Sequence, residues 1–230
     1  MIFFNHFKKY PEIVHGIFEK KEGYFDLNHL EKLKRILKKI KKLDVKYPKL
    51  ILAEQVHGKK IYFCSKNTES SIILGVDGLL SKTEGQILAI RTADCIPLLF
   101  YSPKEGIVGN VHAGRKSLAK GIVEEVAKFF KDPKKVLVGI GPHIRKCCYE
   151  FQKQDYARMK NWKKYFEKRN GKFYLDLTQI LLDKLFALNF EKKNIEDIGF
   201  CTFCQKRKFF SARRGEKKLF LSFIGIKNKI

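Results

Sequence analysis

Ile87-Leu88-Ala89-Ile90-Arg91-Thr92-Ala93-Asp94-Cys95-Ile96-Pro97-Leu98-Leu99-Phe100-Tyr101 contains two apolar β-type runs, 87–90 and 96–101, on either side of the polar break Thr92-Ala93-Asp94-Cys95. Outward from this stretch the same pattern recurs. Short β-type runs lie at Lys49–Ala53, Ile61–Phe63 and 72–74 before it and at 107–111 after it, punctuated by Gly, Pro and Asp. A buried strand at 136–140 ends in Gly141-Pro142, and a last one at 219–224 is expected to stop at Gly225.

Helical periodicity appears in three places. Asn28-His29-Leu30-Glu31 has the form of a capping box, after which Leu30, Leu33, Leu37 and Ile40 share one face and Lys fills the other. Packing of this basic amphipathic helix on a sheet is expected. Leu118, Ile122, Val126 and Phe129 predict a second helix. Asp176 predicts the N-cap of a third, carrying Leu177, Ile180, Leu181, Leu185 and Leu188. Strands grouped early and mixed with helices later point to α+β architecture with a mixed sheet. No linker or repeat divides the 230 residues, so one domain over 1–230 is expected.

The chain carries 48 Lys+Arg against 24 Asp+Glu, a formal charge of +24. Only nine of those cations are Arg, the residue favoured for planar contacts to phosphate and bases, and the Lys are spread along the whole chain. A solvated Lys-rich surface is therefore expected, and a dedicated nucleic-acid-binding module is the rival it displaces. With 20 Phe and 9 Tyr, wholesale disorder is excluded. No apolar run approaches the ~18 residues of a membrane span, and Met1-Ile2-Phe3-Phe4-Asn5-His6 lacks the marks of a secretory signal. A cytoplasmic protein is expected.

Three residues stand at strand ends, where loops build sites. His57 lies in Gln55-Val56-His57-Gly58, Cys95 in the polar break, and His112 before Ala113-Gly114, which opens a helix. Two imidazoles and one thiolate match zinc chemistry, and three protein ligands leave a fourth tetrahedral position for water or substrate. The alternative is that they are unrelated core and loop residues, since their separations make no compact metal motif. His6, His15, His29 and His143 have no companion ligand nearby in sequence and read as surface or core residues.

Seven motifs occur in order: Gln55-Val56-His57-Gly58, Val76-Asp77-Gly78, Thr92-Ala93-Asp94-Cys95-Ile96-Pro97, Val111-His112-Ala113-Gly114, Gly139-Ile140-Gly141-Pro142, Cys148-Tyr149-Glu150 and Phe209-Phe210-Ser211-Ala212-Arg213-Arg214. Together they resemble the YfiH-like family, long labelled the multicopper polyphenol oxidoreductase or laccase-domain family, from about Leu50 to about Phe223. The resemblance implies a four-layer α/β/β/α fold and a zinc ion held by His57, Cys95 and His112. It implies purine nucleoside phosphorylase, methylthioadenosine phosphorylase or adenosine deaminase activity, with purine nucleoside and inorganic phosphate as partners. Copper-dependent laccase activity and peptidoglycan precursor editing are the family's other attributions. Multicopper chemistry needs more imidazoles than this chain offers, which ranks copper below zinc.

On these positions a metal would activate water for attack on purine C6 in deamination, or assist departure of the purine while phosphate attacks the ribose anomeric carbon. Asp94 could orient a ligand or shuttle a proton, or it could cap a turn. Arg213 and Arg214 could clamp phosphate, or form a solvated pair. Gln55 and Lys116 complete the expected substrate contacts, and the helix start after His112 offers backbone N–H groups to an anion. The family's usual W-R-G after H-A-G is replaced by Arg115-Lys116-Ser117, which removes an aromatic wall and displaces the guanidinium by one position. The Gly-rich N-terminal loop of many members is reduced to residues 22–28, and the closing T-G-R appears as Lys217-Lys218-Leu219.

Cys201-Thr202-Phe203-Cys204 is a single CxxC, with Cys147-Cys148 some fifty residues earlier. Without a second CxxC, and with two adjacent cysteines that seldom ligate one ion, these four and Cys64 read as packed, reduced thiols.

Overall fold

The computed structural model describes residues 1–25, 38, 45 and 48–228. The capping box at 28–31 and the basic amphipathic helix read after it lie outside these residues. Among them fourteen strands form: β1 (Ile13–Ile17), β2 (Lys49–Ala53), β3 (Ile61–Phe63), β4 (Ser71–Ile73), β5 (Gly78–Ser81), β6 (Gln86–Thr92), β7 (Ile96–Ser102), β8 (Ile107–Ala113), β9 (Leu137–Ile140), β10 (Glu150–Phe151), β11 (Phe166–Arg169), β12 (Lys172–Leu175), β13 (Ile195–Asp197) and β14 (Phe220–Ile226). They build a mixed six-stranded sheet, β13-β9-β7-β8-β5-β3, a mixed five-stranded sheet, β1-β14-β6-β2-β4, and a small antiparallel sheet, β10-β12-β11.

The two large sheets pack face to face, and side-chain alternation assigns each residue to a layer. Leu99 and Tyr101 of β7 and Val108 of β8 meet Leu88 and Ile90 of β6 and Phe220 and Ile224 of β14 between the sheets. Leu98 and Phe100 of β7 face the opposite way, against Leu118, Ile122 and Val126 and against Ile180, Leu181 and Leu185. Because both faces are covered, β6, β7 and β8 are buried along their whole length, which is why their middles read as largely apolar runs, interrupted in β8 by the buried Asn110. Leu50, Leu52, Ile87 and Phe223 fill the outer face of the five-stranded sheet with Phe18, Phe25 and Val45. The result is an α+β fold with mixed sheets.

The helical periodicity through Leu118 and Phe129 resolves into two helices. Besides α1 (Asn5–Lys8), the chain forms α2 (Arg115–Ala119), α3 (Ile122–Ala127), α4 (Lys153–Arg158) and α5 (Leu177–Ala187). Gly121, at φ +89°, breaks the run between α2 and α3, and Phe129 falls beyond it. Asp176 caps α5 as expected, its carboxylate accepting from the Gln179 N–H at 3.0 Å.

The last strand corrects the expectation at Gly225. β14 runs through that residue to Ile226, because the backbone of β6 comes so close that a Cβ there would lie 2.4 Å from the Gln86 carbonyl oxygen. Glycine permits the ladder to continue.

Register brings the chemistry to one edge. Pairing of β7 with β8 sets Pro97 opposite His112 and Ile96 opposite Ala113. The start of β7, next to Cys95, thus meets the end of β8. Pairing of β5 with β8 sets Gly78 opposite Val111, which brings Asp77 alongside His112. Parallel pairing of β3 with β5 places the loop before β3, with His57, at the same end.

Candidate metal centre

The Sγ of Cys95 and ring nitrogens of His57 and His112 lie within 4.8 Å of one another. Sγ stands 3.9 Å from His57 Nε2, and the two imidazoles meet edge to face with centroids 4.7 Å apart. Gly114 leaves space for this convergence: a Cβ there would come within 2.8 Å of Cys95 Sγ.

His57 is carried by a strained loop. Gln55 and His57 both have positive φ, 67° and 54°, a conformation that non-glycine residues hold only when their surroundings impose it. Two braces do so. The Gln55 side chain donates to the Arg91 carbonyl at 2.6 Å and accepts from the Arg91 N–H at 2.9 Å. Val56 and Gly58 donate their N–H groups to Asp77 Oδ2 at 3.1 and 2.6 Å. Lys120 adds a contact to the His57 carbonyl at 2.9 Å.

Asp77 is wholly buried and serves both sides of the centre. Its other oxygen, Oδ1, accepts from His112 Nδ1 at 2.8 Å, which leaves His112 Nε2 for the thiol or a metal. Burial by itself would lower the His112 pKa, but the bond to Asp77 and the neighbouring Cys95 raise it to about 9. Burial would raise the Cys95 pKa, but hydrogen bonding and charge from His112, then from His57, hold it down at about 6. The thiolate, which this lowered pKa favours, is the form that ligates a metal. Asp77 carries no role in the sequence reading beyond its place in Val76-Asp77-Gly78, and that motif is the signal that points to it.

The remaining expected contacts divide. Gln55 is committed to the Arg91 backbone and acts as a loop brace. Asp94, at φ 84°, turns its carboxylate away to accept from Thr202 Oγ1 (2.6 Å), Ser211 Oγ (2.9 Å) and the Arg213 N–H (2.7 Å). That makes it the anchor of the 202–213 segment, the turn-capping alternative extended to a second loop. Arg214 corrects the phosphate-clamp reading. Its Nη1 donates to the Thr202 and Phe203 carbonyls, its Nη2 to the Phe209 carbonyl and Glu216, and its Nε to Glu216. All five guanidinium donors have internal partners. Lys116 is exposed on α2, and α2 itself is only five residues long, so the anticipated anion site at a helix start has no long helix behind it.

Arg213 differs from its neighbour. One Nη donates to the Glu150 carbonyl at 2.5 Å, while the guanidinium lies 5.0 Å from the Tyr149 ring centre and 5.5 Å from that of Phe151. Arg115 also approaches the Phe151 ring, 5.6 Å from its centre. Tyr149, pushed up to about 12 by burial and by the Cys95 charge, feels both guanidiniums as opposing influences. Tyr149, Phe151 and Arg115 escape sequence reading as a unit, because β10, which carries Phe151 and follows directly on Tyr149, is only two residues long and has no apolar pattern. A cavity of about 440 Å³ opens past Arg115, with Met159, Lys160 and Trp162 in its wall.

The other histidines behave as expected where described: His15 and His143 are buried and hydrogen-bonded to Phe4 and to Gly141 and Thr178. Cys64 is a packed thiol. Cys147 and Cys204 are not, since both are exposed.

The sequence model of the family described as "Multi-copper polyphenol oxidoreductase laccase" matches residues 28–227. Purine nucleoside phosphorylase YlmD of Geobacillus stearothermophilus is 31% identical over 198 residues, 76% of this chain and 71% of the relative. Adenosine deaminase RL5, from an unknown prokaryotic organism, is 26% identical over 206 residues, 81% of this chain and 78% of the relative. The crystal structure of the Bacillus licheniformis hypothetical protein YfiH superposes with a TM-score of 0.86 at 25% identity, covering 96% of this chain and 95% of that one. Among the described residues, no helix is long and apolar enough to cross a membrane.

Proposed function

The chain belongs to the multi-copper polyphenol oxidoreductase laccase family, and from that premise we propose that it processes purine nucleosides at a zinc ion held by His57, Cys95 and His112. The convergence of those three side chains carries the reading, and the names of the relatives supply the substrate class. The donor set fits the ion: one thiolate and two imidazoles, one of them oriented by a buried carboxylate, with room left by Gly114. Among the described residues the second metal-capable group is all thiol, so no further imidazoles gather to build a multicopper centre. When bound, zinc supplies Lewis acidity, which acidifies water and polarises a substrate atom.

The chain's own residues do the rest. Asp77 keeps the proton on His112 Nδ1 and so fixes which nitrogen faces the centre. Arg115 and Arg213, held against Tyr149 and Phe151, set two cations around a tyrosine that feels the Cys95 charge, and favour an anionic co-substrate. We therefore assign phosphorolysis as the principal reaction. A phosphate oxygen bonds to the ribose anomeric carbon as the bond to the purine nitrogen breaks, and the purine leaves with the electron pair and takes up a proton. Tyr149, kept protonated, is a donor available to the substrate. The cavity beyond Arg115 accommodates the nucleoside, with Trp162 providing an aromatic face in place of the one missing from Arg115-Lys116-Ser117.

Incubation of the purified protein with adenosine and inosine, with and without phosphate, tests this. Free purine and a ribose phosphate that appear only with phosphate support phosphorolysis. Inosine from adenosine without phosphate assigns deamination to the same centre. Turnover of neither nucleoside under either condition contradicts the proposal.

A further inference from the structure

Four cysteines outside the triad converge. The 141–148 segment and the 201–204 segment are joined by a parallel bridge between His143 and Cys201 and by the Thr202 N–H donating to the His143 carbonyl at 3.0 Å. A turn closed by the Cys148 and Tyr149 N–H groups on the Arg145 carbonyl, each at 2.9 Å, presents Cys147 and Cys148. The CxxC turn, closed by the Gln205 N–H on the Cys201 carbonyl, presents Cys201 and Cys204. Cys204 Sγ lies 3.7 Å from Cys147 Sγ and 3.3 Å from Cys148 Sγ, and all four sulfurs fall within 4.8 Å of one another.

We propose that Cys147, Cys148, Cys201 and Cys204 form a second zinc site, structural and closed by four thiolates. Zn–S bonds of about 2.3 Å in a tetrahedron put sulfurs about 3.8 Å apart; the 3.7 and 3.3 Å separations lie at and just inside that spacing, and all four sulfurs fall within 4.8 Å. The adjacency of Cys147 and Cys148 is no obstacle here, since the tight turn already brings both sulfurs to Cys204. Simple packing of apolar thiols would bury them, yet Cys147 and Cys204 are exposed. A Cys148–Cys204 disulfide would leave the convergence of the remaining two without a cause. An iron–sulfur cluster would spread the thiolates over separate iron atoms, whereas this group suits one ion. The Arg145 backbone N–H, 3.5 Å from Cys201 Sγ, is a donor suited to a metal-bound thiolate.

Binding is balanced by release of the four Sγ protons to solvent. The two excess negative charges that remain sit beside Lys146 and the Lys206-Arg207-Lys208 run in sequence. The site would clamp the segment bearing Tyr149 to the segment bearing Arg213. It therefore holds the aromatic–guanidinium wall beside the triad from behind, without touching substrate.

Metal analysis of the full chain tests this independently of turnover. The expected result is two zinc ions per chain in the native protein and one in the Cys201→Ser/Cys204→Ser double variant, with one also remaining in Cys95→Ala. Should the double variant fail to fold, thiol alkylation of the native protein decides the matter. Cys147 and Cys204 should resist the reagent until a strong chelator is added, and then react. Equal alkylation with and without chelator would overturn the proposal. So would a native protein holding one zinc, with Cys148 and Cys204 recovered as a disulfide.

Discussion

At the scale of single residues, the buried carboxylate of Asp77 matters as much as the ligands it supports. It orients His112 with one oxygen and ties down the His57 loop with the other. Asp77→Asn is expected to weaken zinc binding at the triad by about 10–100-fold, measured by competition with a chromophoric chelator; unchanged affinity would refute its orienting role. Arg213 and Arg214 make a sharper contrast, because adjacent arginines are indistinguishable in the sequence. The turn at Ala212–Arg214 sends them to different partners. Arg214→Ala strands several carbonyls and Glu216 and should cost about 3 kcal/mol or more in denaturant unfolding. Arg213→Ala should change stability by about 1 kcal/mol or less while raising KM for phosphate about tenfold or more. The three converging residues, His57, Cys95 and His112, are legible in the motifs. The roles of Asp77, Asp94 and Gln55 are not, because each acts on backbone far away in sequence.

At the scale of elements, the central strands announce themselves because burial on both faces leaves largely apolar runs. β5, β10, β11, β12 and β13 do not, being short and, apart from β5, only partly buried. β1 is wholly buried, but its His15 and Gly16 interrupt the apolar signal. Gly225 reads as a stop by composition and is the opposite by geometry. Gly225→Ala should lower stability by roughly 1–3 kcal/mol through overpacking against β6, visible as a lower thermal midpoint. On β1, His15 Nε2 accepts the Phe4 N–H at 2.9 Å, and burial holds its pKa down from 6.5 to about 4. A lowered folded-state value favours the neutral ring, so its stabilising contribution is full above about pH 6.5 and is lost as pH falls toward 4. His15→Gln should flatten that part of the stability profile relative to the unsubstituted protein. Identical slopes between pH 6.5 and 4 would rule out His15 as a contributor.

At the scale of the whole molecule, the +24 charge reads first as a nucleic-acid signature, yet the candidate centre gathers two imidazoles and one cysteine sulfur. With phosphate as the proposed co-substrate, the field of the chain's cations would draw it toward that edge of the sheets. Raising the salt concentration should therefore increase KM for phosphate and leave kcat unchanged. Metal content and turnover, measured together on one preparation of Cys95→Ala, bear most directly on the triad as a zinc-dependent catalytic centre. This variant should keep the zinc of the four-thiolate site, lose the other, and lose phosphate-dependent release of purine from inosine with it. Full turnover in a protein whose triad holds no zinc would show that the chemistry lies elsewhere.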